Sequence, residues 1–261
     1  VSVGWADFTQ TLALLRSFKW AANKVDFRWL SVISGQDYPL RPLTIAEQDL
    51  RDTAFDAFVE ADPITTLGWA MFARYYFHYL KLPRFRHYYK VPASLQDQLR
   101  KIRLTINRSH SPIHIEGGMR NTRLALGIRA LRHPFNDRFH CYKGSDWFTL
   151  SRKAVNYVLD FTRDNPSFFN HFRRTYLASE AYVPTILWNN KELKIANDNR
   201  RFILWDTNGS AHPILLTHEH FAEMTASGKD FGRKFDMKLD SRILDELDRT
   251  LDARRSNLAG K

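Results

Sequence analysis

The sequence predicts an α/β fold. Short apolar runs of strand character alternate with stretches of helical periodicity, and Pro and Gly punctuate the joins. At 44% hydrophobic over 261 residues, the chain also has enough apolar material for one sizeable core. No internal repeat or low-complexity linker breaks the alternation. A single domain over 1–261 is therefore expected, with a basic, irregular insert at 64–135 inside it.

The first element is "FTQTLALLRSFKWAAN", whose apolar spacing predicts a helix over 7–23. "FRWLSVISG" then reads as a strand that stops at Gly35. In "QDYPLRP", Pro39 and Pro42 cannot donate to a ladder, so it reads as a turn. "TIAEQDLRDTAF" resumes helix, with Thr44 as N-cap and Glu47 closing a capping box. The segment 64–135 is poorly periodic and broken by Pro83, Pro92 and Pro112; within it, "SLQDQLRKIRL" reads as helix. "WFTLS" is a short strand, and Ser151 caps a helix over "RKAVNYVLDFTRDN" that ends before Pro166. A further helix covers "SFFNHFRRTYL", and "SEAYVPTILWNN" opens a helical turn. "RRFILWD" is a strand, "THEHFAEMTASG" a helix between Thr217 and Gly228, and "DSRILDELDRTLDARR" a last helix.

The net charge of +11 is concentrated. Thirteen Lys or Arg stand between Ile64 and His133 against only Asp97 and Glu116, so this stretch carries the whole excess. Such a patch suits an anionic partner, whether nucleic acid, a membrane surface or an acidic acceptor, and equally suits a solvated basic face. It contains no recognisable nucleic-acid module, so nucleic acid is not expected as a partner. One cysteine, Cys141, excludes an internal disulfide, disfavours structural zinc and favours a reducing compartment. No run approaches the roughly 20 apolar residues of a membrane span, and no signal peptide opens the chain.

Several residues could carry chemistry. Glu180, at an expected helix start, is a candidate general base; its plainer role is a first-turn acid that offsets the helix dipole. Arg201 precedes a strand, and Arg233 and Lys234 lie between Phe231 and Phe235. Cations so placed could neutralise a diphosphate without a metal, or form an ordinary surface pair. "GSDWF" sets Asp146 beside Trp147, a turn with a core aromatic or the wall of a sugar cleft. The "HEH" at 218–220 lacks the spacing of a metal-binding helix and reads as surface histidines. Glycine-rich phosphate loops and the "G-x-S-x-G" elbow are absent.

Six stretches occur in a telling order: "LSVISGQDYPLRP", "GSDWFTLSRKAVNYVL", "SEAYVPTILWNN", "NDNRRFILWD", "HPILLTHEHFAEMTASGKDFGRKFD" and "SRILDELD". Together they resemble the core-2/I-branching glycosyltransferases, glycosyltransferase family 14, which also contains the peptide O-xylosyltransferases. The resemblance implies a GT-A-like fold, a UDP-sugar donor, a glycan or protein hydroxyl as acceptor, and inversion without a bound metal or other cofactor. It makes Glu180 the catalytic base, although Ser179 replaces the family's proline before it. It puts Arg201, Arg233 and Lys234 on the diphosphate, and Asp146 and Trp147 along the donor-sugar and acceptor cleft. Asp37 matches a family acid that either lines the cleft or braces its turn. "GSDWF" is closer to the xylosyltransferase branch than to the N-acetylglucosaminyl branch, so xylose and N-acetylglucosamine are the donor sugars expected. The β-α units that hold the nucleoside in other members have no counterpart before "VSVGWADF". A bacterial, cytoplasmic enzyme is expected, with peripheral contact to an anionic membrane or polysaccharide as a possible use of the basic segment. The alternative is a non-catalytic protein that holds nucleic acid or an anionic polysaccharide through that segment.

Overall fold

The computed structural model describes residues 2–82, 93–117, 124–206 and 213–259. Its class is mixed α/β, as the alternation of elements predicts. The chain divides into two compact units. Unit one comprises Val1–Phe27, Ala61–Asp146 and Arg152–Leu193; unit two comprises Arg28–Glu60, Trp147–Ser151 and Lys194–Lys261. No helix among the described residues is long and apolar enough to cross a membrane.

In unit one, α1 (Phe8–Lys24) starts at Asp7, whose carboxylate accepts the Thr9 N–H at 3.2 Å. Its buried stripe of Phe8, Leu15, Phe18 and Ala21 faces α5 (Arg152–Asp164) and α7 (Ser179–Trp188). Between them, α6 (Pro166–Phe172) opens on a proline whose missing N–H the first turn does not need. Phe168 and Phe172 of α6 meet Tyr182 of α7 with centroids 5.0 and 5.4 Å away, and each other at 4.7 Å. Burying each ring stabilises the unit by roughly 2–3 kcal/mol.

The stretch 64–135 is more regular than expected. β4 (Ala61–Pro63) pairs antiparallel with β8 (Tyr142–Gly144), and a 3-10 turn at Ile64–Thr66 leads to α3 (Trp69–Tyr76). β5 (Phe77–Lys81), α4 (Ala93–Ile106), β6 (Ile113–Glu116) and β7 (Ala125–Arg129) follow. Their strands form an antiparallel sheet in the order β5-β7-β6. Sequence periodicity hides this sheet because both of its faces carry apolar residues, which erases the polar alternation of a half-buried strand. Gly127 has a specific reason to be there. It lies opposite Tyr79, and a Cβ at that position would come within 2.5 Å of the Tyr79 ring. Five basic residues of the stretch, Arg84, Arg86, Lys90, Arg120 and Arg123, lie outside the described residues.

Among the described residues, unit two holds two sheets. β9 (Thr149–Ser151) runs between β1 (Trp29–Ser31) and β3 (Ala57–Phe58), antiparallel to both, and β10 (Ile195–Ala196) adds to β3 in parallel. In the second sheet, β12 (Phe231–Arg233) lies parallel to β11 (Arg201–Ile203) and antiparallel to β2 (Asp37–Pro39). Leu40, Phe202, Leu216, Met224, Phe235, Ile243 and Leu247 form the core beside it. The last two come from α9 (Arg242–Ala259), and Met224 from α8 (Phe221–Ala226). Gly232 is needed at the centre of β12, since a Cβ would stand 2.9 Å from Leu40 Cδ2 and 3.1 Å from the Phe235 ring.

The capping box proposed at Thr44 does not form. α2 (Leu43–Asp52) begins two residues earlier than that cap implies, with Pro42 as N-cap and no side-chain cap, so Thr44 already sits inside the first turn. Glu47 instead pairs with Arg51 at 3.4 Å. Ser151 is the last residue of β9, and α5 starts at the next residue. A buried carboxylate, Asp230, binds Arg41 at 2.6 Å and also Arg200, and Arg41 reaches Asp49 at 2.6 Å. That network ties the approach to α2 to the residues ahead of β11 and β12.

His171 in α6 gives unit one a pH dependence. It is buried and its Nε2 lies 2.8 Å from the Tyr75 carbonyl, and burial lowers its pKa from 6.5 to about 4. Between those values the unfolded chain binds a proton that the folded chain does not, so this contribution is complete above pH 6.5 and is lost as the pH falls. Urea titrations are expected to lose up to about 3 kcal/mol of unfolding free energy between pH 6.5 and 4. His171→Asn should flatten that loss.

Candidate active site

The register of β12 against β2 sets Arg233 directly opposite Asp37. Arg233 Nη1 donates to Asp37 Oδ1 at 2.7 Å and to Ser34 Oγ at 2.8 Å. The Asp37 side chain is fully buried and also accepts the Ser34 N–H at 2.8 Å. A carboxylate removed from water needs such partners, since an unpaired buried charge costs several kcal/mol. The Arg233 guanidinium carbon stands 4.0 Å from the centroid of the Trp147 ring. Three residues singled out in three separate stretches, Asp37, Trp147 and Arg233, are thus brought together. The enclosed Asp37 carboxylate holds the turn at Ser34, one of the two roles open to it.

Arg233 is held but not used up. Among the described residues its Nε and Nη2 have no hydrogen-bond partner, so two faces of the fork remain for an oxygen ligand. Lys234 is half-buried and makes no ion pair among the described residues. Asp37 offsets Arg233, while Lys234 has no carboxylate within ion-pair distance among the described residues.

Arg201 is placed differently. It is 4% exposed, and its guanidinium donates to the carbonyls of Val32, at 2.7 Å, and Asn199, and lies 3.2 Å from Thr149 Oγ1. Its Nε is buried without a partner. No carboxylate pairs with it among the described residues, and burial lowers its pKa to about 10. Its bond to Val32 secures the chain just ahead of Ser34 and Asp37.

Glu180 belongs to unit one, in the first turn of α7. Its Oε2 lies 3.4 Å from Lys143 Nζ on β8, and its Oε1 has no partner among the described residues. The side chain is 25% exposed, so one oxygen is anchored while the other can meet a proton donor. α7 is fixed to the β8 side by Thr185, whose Oγ1 accepts the Tyr142 N–H at 3.0 Å, and by Asn189, which exchanges hydrogen bonds with the His140 backbone at 2.7 and 2.8 Å. Pro184 lacks the N–H that would bond the Glu180 carbonyl within the helix. Burial first, and then the charges of Glu180 and Asp146 among others, hold the Tyr75 phenol far above its ordinary pKa. The placement at a helix start also satisfies the dipole, the plainer role open to Glu180.

Lys143 escaped sequence reasoning. Its one signal was a strand-like "CYKG" just ahead of "GSDWF", and nothing in that spacing points to Glu180, thirty-seven residues further on. The "HEH" histidines make local contacts: His218 Nδ1 lies 2.7 Å from Glu246 Oε2, and His220 closes a capping box with Thr217. Among the described residues, no three His, Cys, Asp or Glu side chains converge as a metal site.

A model of the core-2/I-branching enzyme family matches residues 92–227. The matched region contains Asp146, Trp147, Glu180 and Arg201, while Asp37, Arg233 and Lys234 lie outside it. No curated protein matches the chain. The mixed α/β architecture is consistent with a GT-A-like glycosyltransferase fold. With just over half of its length matched, this chain belongs to the core-2/I-branching enzyme family, a family of glycosyltransferases.

Proposed function

We propose that the chain is an inverting glycosyltransferase that moves xylose or N-acetylglucosamine from a UDP-sugar to a hydroxyl of a glycan or protein, without a metal ion. The observation that supports this reading is the Arg233 fork, fixed by Asp37 and Trp147 with two nitrogens still open among the described residues, beside Lys234, which has no ion pair among them. Charge that builds on a departing diphosphate is best met by cations whose positions are set beforehand.

In this reading Glu180 takes the proton of the acceptor hydroxyl through its unpartnered oxygen. The hydroxyl oxygen forms a bond to the anomeric carbon, the bond from that carbon to the diphosphate breaks, and UDP leaves carrying the electron pair. Arg233 and Lys234 receive the leaving diphosphate. Trp147 and Asp146 border the sugar. Arg201 is a positioning residue, acting through Val32 and the turn that holds Ser34 and Asp37.

Three variants test these roles. Glu180→Gln should lower kcat by about 10²- to 10⁴-fold while UDP binding stays within twofold, the scale of a lost general base. Retained turnover would reject Glu180 as the base. Lys234→Ala should weaken UDP binding about tenfold in calorimetry, as expected for one lost charged contact. Arg201→Ala should instead lower unfolding free energy by about 3 kcal/mol, because it strips partners from buried carbonyls. Loss of UDP affinity without loss of stability would return Arg201 to the diphosphate. A donor-hydrolysis screen across UDP-sugars, run with and without chelator, names the sugar, and chelator sensitivity would defeat the metal-free reading.

A further inference from the structure

The β5-β7-β6 sheet of unit one wears its apolar residues on both sides. Residues directly opposite in an antiparallel pair point to the same face. One face presents Phe77, Tyr79, Ala125, His114 and Glu116, all buried or half-buried. The other carries two rows, Ile113-Ile128-His78 and Ile115-Leu126-Leu80. On that second face Leu80 is 67% exposed and Ile128 63% exposed, and Ile113 and Leu126 are exposed as well. Just past β7, Leu131 stands fully in solvent. A contiguous aliphatic face of this kind on a sheet calls for a partner.

Charge at its edge says which kind. His78 and Ile128 also line a cleft of about 830 Å³, together with Arg129, Arg132, His133, His171 and Arg174. No carboxylate is among its lining residues. Arg129, Arg132 and Arg174 are exposed. The histidines form a short relay: His171 Nε2 lies 2.8 Å from the Tyr75 carbonyl, and its Nδ1 lies 3.1 Å from His78 Nε2. If His171 donates to Tyr75, its Nδ1 accepts from His78. Burial lowers the pKa of His78, His133 and His171, so the standing charge of the cleft comes from the three arginines. Beside β6, α4 adds exposed Leu95, Leu99 and Ile102 next to Arg100 and Lys101.

We propose that this face of unit one docks on an anionic phospholipid surface, with the apolar rows and Leu131 entering the headgroup boundary and the His/Arg cleft receiving a lipid phosphate. Aliphatic side chains alone would suit another protein, and arginines alone would suit any anion. Their adjacency, with Ile128 and Leu131 in the lining of the cationic cleft itself, fits a ligand that is apolar and anionic within one molecular length. The proposal does not depend on the glycosyl-transfer chemistry. It assigns to particular residues a membrane contact that net charge only suggests.

Co-sedimentation of the full chain with vesicles tests it. The chain should pellet with phosphatidylcholine vesicles containing roughly one-third phosphatidylglycerol and stay in solution with phosphatidylcholine alone. Arg132→Glu/Arg174→Glu should lower the partition at least about tenfold. Leu131→Asp should lower it severalfold while the charge of the cleft is untouched. All three positions are exposed, so an unchanged melting temperature will show that the variants fold. Equal binding to both vesicle types, or no binding to either, overturns the proposal. So does full displacement by millimolar inorganic phosphate, which would make soluble phosphate the occupant. A solution mass of twice the chain, lost in Leu131→Asp, would assign the face to a second copy and equally overturn it.

Discussion

The arrangement of unit two rests on the buried carboxylate of Asp37. A charge with no exposed surface must be paired where it stands, and the partner it takes is the guanidinium directly across the β12-β2 ladder. That requirement favours one register of the two strands, because a slip of one residue would turn Arg233 to the opposite face and leave Asp37 without its cation. It also holds the Arg233 fork over the ring of Trp147, which belongs to neither strand. Gly232 allows β12 to approach Leu40 and Phe235 closely enough for this. The order of the cluster therefore comes from desolvation, and the nitrogens left over are oriented without any ligand present.

Unit one solves a different problem around Glu180. Its carboxylate is neither enclosed nor free: one oxygen faces Lys143 and the other does not. The pair is partly exposed, so its contribution to stability is small, on the order of 1 kcal/mol or less. Geometry is the more important result. Thr185 and Asn189 fix α7 against the β8 segment, and that fixation brings Lys143 to Glu180. The two clusters thus pair opposite charges for opposite reasons. In one the buried acid dictates where the cation goes, and in the other the backbone dictates which cation the acid meets.

Much of this was legible in the sequence. The helices with clean 3.6-residue spacing, α1 and α9 above all, follow from apolar spacing alone. Asp37, Trp147 and Arg233 were singled out from separate motifs, and their convergence gives those motifs a shared physical reason. Other features were hidden for identifiable causes. The strands of 64–135 lack polar alternation because their outer face is apolar too. The capping box at Thr44 lost to Pro42, whose φ of −53° already suits a helix entrance. Arg201 reads simply as a cation in a motif, and no spacing shows that the Asn199 and Val32 carbonyls accept from its two Nη groups in the interior. Lys143 had no readable signal, because its partner is set by the packing of α7 on β8.

Asp37 and Arg233 are 196 residues apart in the chain, and β9, the strand between β1 and β3, is made long after both of its neighbours. On the ribosome, then, β1, β2 and β3 emerge with none of their native partners yet synthesised. Unit two cannot close progressively as it is translated; its early strands must wait with open edges and an unpaired acid for the later segments. The same ion pair that orders the finished protein makes its nascent chain dependent on protection from premature pairing.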